Sequence, residues 1–539
     1  MVLAGALFYW LLSSTDDRHE SISIDGNDDF NSAHGVRQGS GTPQDPFVIE
    51  DITILEGEGF SIGNTDAHVV IRNLTVEALA DSGSGVFVRY SENVHFEHLT
   101  VTNTSTGLYV DRAENCSFVG CIIDGVRSGQ SVSLYSSLNC TLSDSWISNQ
   151  TGINAGSVVL GHSIECRIVD VELTDCKYGI FITNSESCVI SENSIHDSYH
   201  AISIDSSLNL TITRNNLSTN ILSMGGYELR HYSTHTIAED NSVNGLPLLY
   251  VNGASGVNIQ NLLAGQLIAV NCSDFGIRDL SFDEGSHEPI LLAYCCNGIV
   301  ENISISGGTF DWTDYSSYYS YHSGVTTTDC NNIIITSCTI SNVTSGIGLR
   351  GTNLQATWNN LTNNEYGIGG RGINLTISNN TLSHNREGIS TSGGIHGSTD
   401  CVSILDNTIS YGQVGIKVSE ASNITVRGNK IMGNSIGAQV QGYYYRASNI
   451  VIHQNDFIEN SYQVNVQAGN VSASWNTEYP VGGNYWSDYS GTDINQGANQ
   501  TVPGSDGIGD SPYHVFTASL TFGDVDFWDE YPLMSPCTN

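Results

Sequence analysis

The residues of this 539-residue chain best equipped for chemistry fall into four sets. Near the C-terminus, GSDGIGDSPY holds Asp506 and Asp510 between glycines, and Asp488, Asp493, Asp524, Asp526 and Asp529 flank it. A hard cation takes about six to eight oxygen ligands, and glycine lets a short chain wrap around it, so the segment is a candidate Ca2+ site. It also suits an acidic, turn-rich cap over the open edge of a repeat array. The second set is aromatic. FDWTDYSSYYSYHSG carries Trp312, Tyr315, Tyr318, Tyr319 and Tyr321, and QGYYYRASN carries Tyr443, Tyr444 and Tyr445. Tyrosine joins a large apolar ring to a polar tip, a combination that stacks on sugars, fills protein interfaces, or folds back over its own chain. Third, Ser286-His287-Glu288-Pro289 offers a base beside a carboxylate, although an ordinary solvent turn is the better account of it.

The fourth set is cysteine. Thirteen cysteines occur with no C-x-x-C and no histidines arranged around them, which argues against zinc and haem. ENCSFVGCII, LNCTLSDSWI, IECRIVDVEL and ESCVISENSI place Cys116, Cys140, Cys166 and Cys188 in one recurring slot.

That slot belongs to a repeat. VHFEHLTV, CSFVGCII, CTLSDSWI, CRIVDVEL, CVISENSI, LTITRNNL, LTISNNTL and ITVRGNKI are versions of one eight-residue phrase. In ITVRGNKI, alternation puts Ile424 and Val426 on one face of a strand, and Asn429 follows at a bend. Successive phrases begin at Val94, Cys116, Cys140, Cys166, Cys188 and Leu210, at spacings of 22, 24, 26, 22 and 22 residues. Second phrases such as TGLYV, YGIFI and VGIKV mark a further strand in each repeat. Two to three short strands per turn of this length predict an all-β, right-handed parallel β-helix of about 18 coils. We expect an apolar segment and linker over 1–21, a single solenoid over 22–475 and a cap over 476–539.

Coils stack at about 4.8 Å, so equivalent slots form ladders along the axis. The recurrent asparagine then forms a ladder of amides. Cys116, Cys140, Cys166 and Cys188 form a ladder of inward thiols, spaced for Cys116–Cys140 and Cys166–Cys188 disulfides or for packing as small hydrophobes. Cys121 and Cys338 take the asparagine slot. Cys295 and Cys296 are adjacent and cannot both point inward, so the outward member and Cys537 are candidates for links between subunits.

Net charge is −38, from 18 Lys+Arg against 56 Asp+Glu, which excludes nucleic acid as an expected partner. The apolar run Val2–Leu12 falls short of the roughly 20 residues that span a bilayer, and resembles the core of a secretory signal. Sixteen Asn-x-Ser/Thr sequons lend mild support to an exported glycoprotein.

Together with the repeat, GSGTPQDPFVIEDITI at residues 40–55, DNSVNGLPLLYVNGASGVNIQNLLAGQLIAVNC at 240–272 and GGNYWSDYSGTD with DGIGDSPY resemble the NosD-like and CASH-type β-helix proteins, abundant on archaeal cell surfaces. The resemblance implies a right-handed, exported β-helix. It does not carry copper with it, since the chain has four methionines and no histidine cluster suited to that metal.

Hydrolases of the polygalacturonase type carry motifs of which only Asn64-Thr65-Asp66 and Gly161-His162 are matched here, in isolation, and no Arg-x-Lys occurs. Facing carboxylates are not promised by any spacing, so no catalytic residue is assigned. The expected function is therefore structural: a cell-surface or extracellular protein assembling with copies of itself into a sheath, filament or surface layer. The alternative is a carbohydrate-binding or polysaccharide-processing β-helix, with cell-surface polysaccharide as partner. The two differ in where the tyrosines point.

Overall fold

The computed structural model describes residues 17–77, 85–151, 156–176, 178–198, 200–218, 221–282, 288–307, 323–393, 399–442, 444–467, 470–515, 517–518 and 526–537. It is a β-solenoid of about 17 turns with almost no helix. Where the repeat reads as one solenoid, the chain forms two compact units, 1–245 and 246–539.

In the first unit each coil has three short strands. Val86–Arg89, Val94–Glu97 and Thr100–Thr102 pair in parallel with Leu108–Asp111, Ser117–Val119 and Ile122–Asp124 of the next coil. Alternation sends Val86, Val88, Val94, Phe96 and Val101 into the core, where none is measurably exposed. The strands are ended by residues in the left-handed region, such as Tyr90, His98 and Asn103. Asn tolerates that conformation better than most residues, which accounts for its frequency at the corners.

This corner explains the sequons. Asn115, Asn139, Asn209, Asn374 and Asn423 all have positive φ. Cys116, Cys140, Leu210, Leu375 and Ile424 then point inward, and Ser117, Thr141, Thr211, Thr376 and Thr425 point outward on the strand. Asn-x-Ser/Thr is thus a spelling of the coil itself. The corner amides also join coils: Asn139 Nδ2 donates to Asn115 Oδ1 at 2.7 Å, and Asn423 Nδ2 to Asp400 Oδ1 at 2.6 Å.

The second unit repeats the plan, and its buried asparagine ladder runs Asn359, Asn380, Asn407, Asn429, Asn455, Asn484. At each rung the backbone N–H and Nδ2 donate to the next Oδ1, as Asn359 does to Asn380 at 2.9 and 3.0 Å. The same Nδ2 also reaches a backbone carbonyl, here Ile335 O at 3.0 Å. Cys338 stands at the head of the ladder, with its N–H on Asn359 Oδ1 at 2.9 Å, and Cys121 of the first unit donates likewise to Ser145 Oγ at 3.0 Å. Both cysteines therefore occupy the expected slot. A glycine column, Gly324, Gly346, Gly367, Gly388, Gly415 and Gly437, lets neighbouring coils approach closely. A Cβ on Gly388 would lie 2.6 Å from Gly415 O.

All thirteen cysteines are thiols. Cys116, Cys140, Cys166 and Cys188 are buried to 1% exposure or less and stack inward as expected. Cys140 Sγ donates to Ala113 O and Leu138 O at 3.6 and 3.5 Å. Ladder members stand one coil apart, each as a free thiol in this structure.

Candidate functional site

On one face of the first unit, the outward positions of stacked strands build a groove of about 660 Å³. Its floor comes from Asp17–Asp25 and Phe47–Gly63, which offer the small polar side chains of Ser21, Ser23, Asp25 and Ser61 beside the bare backbone of Gly63. Strand register sets the residues stacked above them. Ser23 pairs with Ser61 and Asp25 with Gly63, then Ser61 pairs with Phe87 and Gly63 with Arg89. The face therefore steps outward at the third coil, from serine and glycine to phenylalanine and arginine.

The next coil extends this wall, since Phe87 pairs with Tyr109 and Arg89 with Asp111. The Arg89 guanidinium lies 4.9 Å from the Phe87 ring centroid and 5.5 Å from that of Tyr109. Such stacking orients the guanidinium while leaving its edge free for ligands. At the adjoining corner, Arg112 sits 5.1 Å from the Tyr90 ring and donates from Nη1 to the Tyr90 hydroxyl. Arg112 also lies 3.6 Å from Asp111. Tyr90 is 50% exposed, enough to offer a ring face to a ligand. Burial, helped by Asp111, pushes the Tyr109 phenol above its ordinary value.

Polar groups on the floor are held in order. Asn64 Nδ2 donates to Asp25 Oδ1 at 2.6 Å, and Ser61 Oγ to Ser23 Oγ at 2.9 Å. In the next two coils beyond the wall, Tyr135 packs edge-on to His162 at 5.4 Å on the same face. Asn64 and His162, the isolated motif fragments of the sequence, thus lie on this face, but Asp66 is occupied by the Asn27 amide at 2.6 Å. No facing pair of carboxylates results.

The other expected residues fall elsewhere. Trp312, Tyr315, Tyr318, Tyr319, Tyr321, Tyr443, Asp524, Ser286 and His287 lie outside the described residues. Tyr444 and Tyr445 are 88% and 46% exposed, so they are not folded over their own coil. Glu288 contacts Thr326, and burial pushes its carboxyl up to about 7. Cys295 points inward at 1% exposure, leaving Cys296 as the outward member of that pair. Cys537 is exposed, with its Sγ 3.1 Å from Asp456 Oδ1.

Among the acidic residues, Asp493, Asp506 and Asp510 do come together, but around backbone amides. Asp510 accepts from the N–H of Ile494 and Asn495, both at 2.9 Å. Asp493 accepts from Asp506 N and Gly507 N at 3.1 and 2.9 Å, and Asp506 from Gly497 N and Ile508 N, both at 3.1 Å. The Ser505 hydroxyl and two amides hold the Asp493 carboxyl below its usual range. Asp488 accepts from the Tyr513 hydroxyl, and Asp526 lies 3.4 Å from His514.

Sequence reasoning missed the groove wall entirely. The available signal was the outward member of each second phrase, Phe87 and Arg89 in VFVR and Tyr109 in LYVD, read down the stack rather than along the chain. It also missed a second thiol ladder, Cys272, Cys295 and Cys330, at a corner where the first unit uses serine. Cys295 Sγ donates to Ala269 O at 3.3 Å and Cys330 Sγ to Leu292 O at 3.4 Å, as Ser185 Oγ does to Leu160 O at 3.2 Å.

The chain is 30% identical over 135 residues to the probable pectate lyase A of Neosartorya fischeri, a stretch covering 24% of this chain and 38% of that protein. The chain thus spans well under half the length of that relative. Among solved structures, a mannuronic acid specific family 6 polysaccharide lyase from the human gut microbiota matches at 13% identity and a TM-score of 0.21. It covers 84% of this chain and 83% of its own. A point mutant of the periplasmic alginate epimerase AlgG matches at 10% identity, TM-score 0.21, with the same coverage of 84% and 83%. The surface adhesin PfbA of Streptococcus pneumoniae matches at 10% identity, TM-score 0.21, covering 79% and 83%.

The family profile described as periplasmic copper-binding protein (NosD) matches residues 36–253 and 314–491. Copper does not fit the described residues. No three His, Cys, Asp or Glu among them are grouped to hold a metal, and both thiol ladders are sealed in the core, donating to carbonyls. The match nevertheless spans most of the chain, over the stacked coils and asparagine ladders just described, and this protein belongs to the NosD family.

Proposed function

We propose that this chain is an exported carbohydrate-binding β-helix protein whose first unit holds a sugar chain in the groove beside Phe87, Arg89 and Tyr90. The observation that carries the reading is the wall itself: the rings of Phe87 and Tyr90 line a groove floored by serine, asparagine and aspartate, and Tyr109 follows Phe87 in the next coil. Aromatic faces stack on the apolar faces of sugar rings, and short polar side chains bind hydroxyls. The partial likeness to a pectate lyase agrees with it. Export agrees with the periplasmic description of the family. Self-assembly into a sheath or surface layer is set aside as the leading reading, because the tyrosine loop it drew on lies mostly outside the described residues and no comparison supports it.

The test is affinity electrophoresis of the purified protein through gels containing a panel of neutral and acidic polysaccharides. Retardation by at least one polymer is expected, and its loss in Tyr90→Ala and Phe87→Ala variants that melt like wild type. Migration unaffected by every polymer would overturn the reading.

A further inference from the structure

Arg89 is an exposed cation on the lining of the groove. The chain carries 56 acidic residues against 18 basic ones, so a guanidinium has many carboxylates available to it. Several described arginines have taken one: Arg72 pairs with Glu97, Arg214 with Glu192, Arg278 with Glu301 and Arg386 with Glu365. Arg89 forms no ion pair among the described residues. It is exposed at the groove, lying over the neighbouring Phe87 and Tyr109 rings, whose centroids are 6.1 Å apart. Its strand partner across the step is Gly63, which has no side chain to meet it. On the far side the partner is Asp111, whose neighbour Arg112 lies 3.6 Å away.

Resting on the carbohydrate reading, we infer that the groove selects sugars that bear a carboxylate, with Arg89 as the residue that reads it. A planar guanidinium presents parallel N–H donors that match the two oxygens of a carboxylate, and its stacking on two rings fixes the direction of that fork in advance. The ring of the same sugar then meets Phe87 or Tyr90. The carboxylate lies at the Arg89 end of the groove: Asp25 at the other end would repel it, whereas the charge of Asp111, next to Arg89 in the stack, is countered by Arg112 at 3.6 Å. Asp25, Ser23 and Ser61 are left to bind hydroxyls. The net charge of −38 does not forbid an anionic ligand, since exposed charges beyond about 10 Å are largely screened at 0.1 M salt.

The experiment measures binding of the full chain by isothermal titration to three probes. These are a polyuronate oligosaccharide, the same oligosaccharide after reduction of its carboxyls to alcohols, and dextran sulfate as an anion of different shape. The polyuronate is expected to bind roughly ten- to a hundredfold more tightly than its reduced form, the worth of one charge-assisted contact. Arg89→Gln should abolish that preference, so that polyuronate and reduced form bind the variant alike, and Arg89→Lys should restore only part of it. Equal binding of the acidic and reduced forms would overturn the inference and leave the carbohydrate reading standing. Dextran sulfate binding as tightly as the polyuronate would also overturn it, by showing a response to charge alone. Failure of both oligosaccharides to bind would overturn the carbohydrate reading itself. Melting curves of each variant establish that the fold is retained.

Discussion

Asp529 Oδ2 accepts the backbone N–H of Asn484 at 2.7 Å, and so stands where the next asparagine of the buried ladder would place its carbonyl oxygen. The ladder would otherwise end at Asn484 with an unpaired amide in the core, a costly state for a buried donor. Instead Asp529 also receives Trp486 Nε1 at 2.9 Å and Tyr531 N at 3.1 Å. The apolar side of the last coil is closed in the same region by stacking. Phe457 lies on Trp486 at 4.6 Å, and Trp486 on Tyr513 at 4.3 Å.

This termination predicts a pH dependence. Burial raises the Asp529 carboxyl from 3.8 to about 7, against the pull of its three donors. Between those values the folded chain holds a proton that the unfolded chain has released, so stability is full at low pH and falls as pH rises, levelling above the folded value. Asp529→Asn imitates the protonated form and removes that slope. From about pH 4 to 8, wild type should lose on the order of a few kcal/mol relative to the variant, read from paired thermal melts. A difference that stays constant with pH would sink the idea.

The glycine column predicts a contrast between two residues of one sheet. A Cβ at Gly388 would meet Gly415 O and Ile409 Cγ2, each at 2.6 Å. At Gly369, which faces outward, the nearest atom would be Ile347 O at 4.0 Å. Gly388→Ala should therefore cost about 1–3 kcal/mol by forcing two coils apart, whereas Gly369→Ala should be close to neutral. Chemical denaturation of the two variants checks both halves.

How much of this was legible is instructive at particular residues. Ile424, Val426 and Asn429 announce the coil because alternation and a bend are local properties of eight residues. Cys140 announces its ladder because the slot recurs in adjacent phrases. The wall of the groove did not announce itself: Ser61, Phe87 and Tyr109 are separated by 26 and 22 residues, and become neighbours only through register. Cys295 was hidden differently. Its corner slot is filled by Ser137, Ser163 and Ser185 in the first unit, so no single residue type marks it.

The thiol ladder predicts what its slot tolerates. Val94 and Leu210 hold the positions flanking Cys116–Cys188 in the stack, both fully buried. Cys140→Val should thus cost less than about 1.5 kcal/mol, since it keeps an apolar group of similar size. Cys140→Ser puts a stronger polar group in an apolar column and should cost about 1–3 kcal/mol. Equal losses in both variants, measured by thermal melting, would show that the thiol itself is needed.

A last prediction concerns a partly buried ion pair in the second unit. Lys417 Nζ lies 2.6 Å from Glu387 Oε1, with side-chain exposures of 24% and 9%. Glu387 is thus nearly out of solvent, and the ammonium is its partner there. Lys417→Met leaves the carboxylate unpaired and should destabilise by about 3 kcal/mol at neutral pH. Adding Glu387→Leu removes the stranded charge and should recover most of that loss, because the pair itself contributes little beyond what an apolar contact of the same shape supplies. A double variant no more stable than Lys417→Met would mean that the loss came from the lysine's aliphatic stem, beside its strand partner Ser390, rather than from the buried charge.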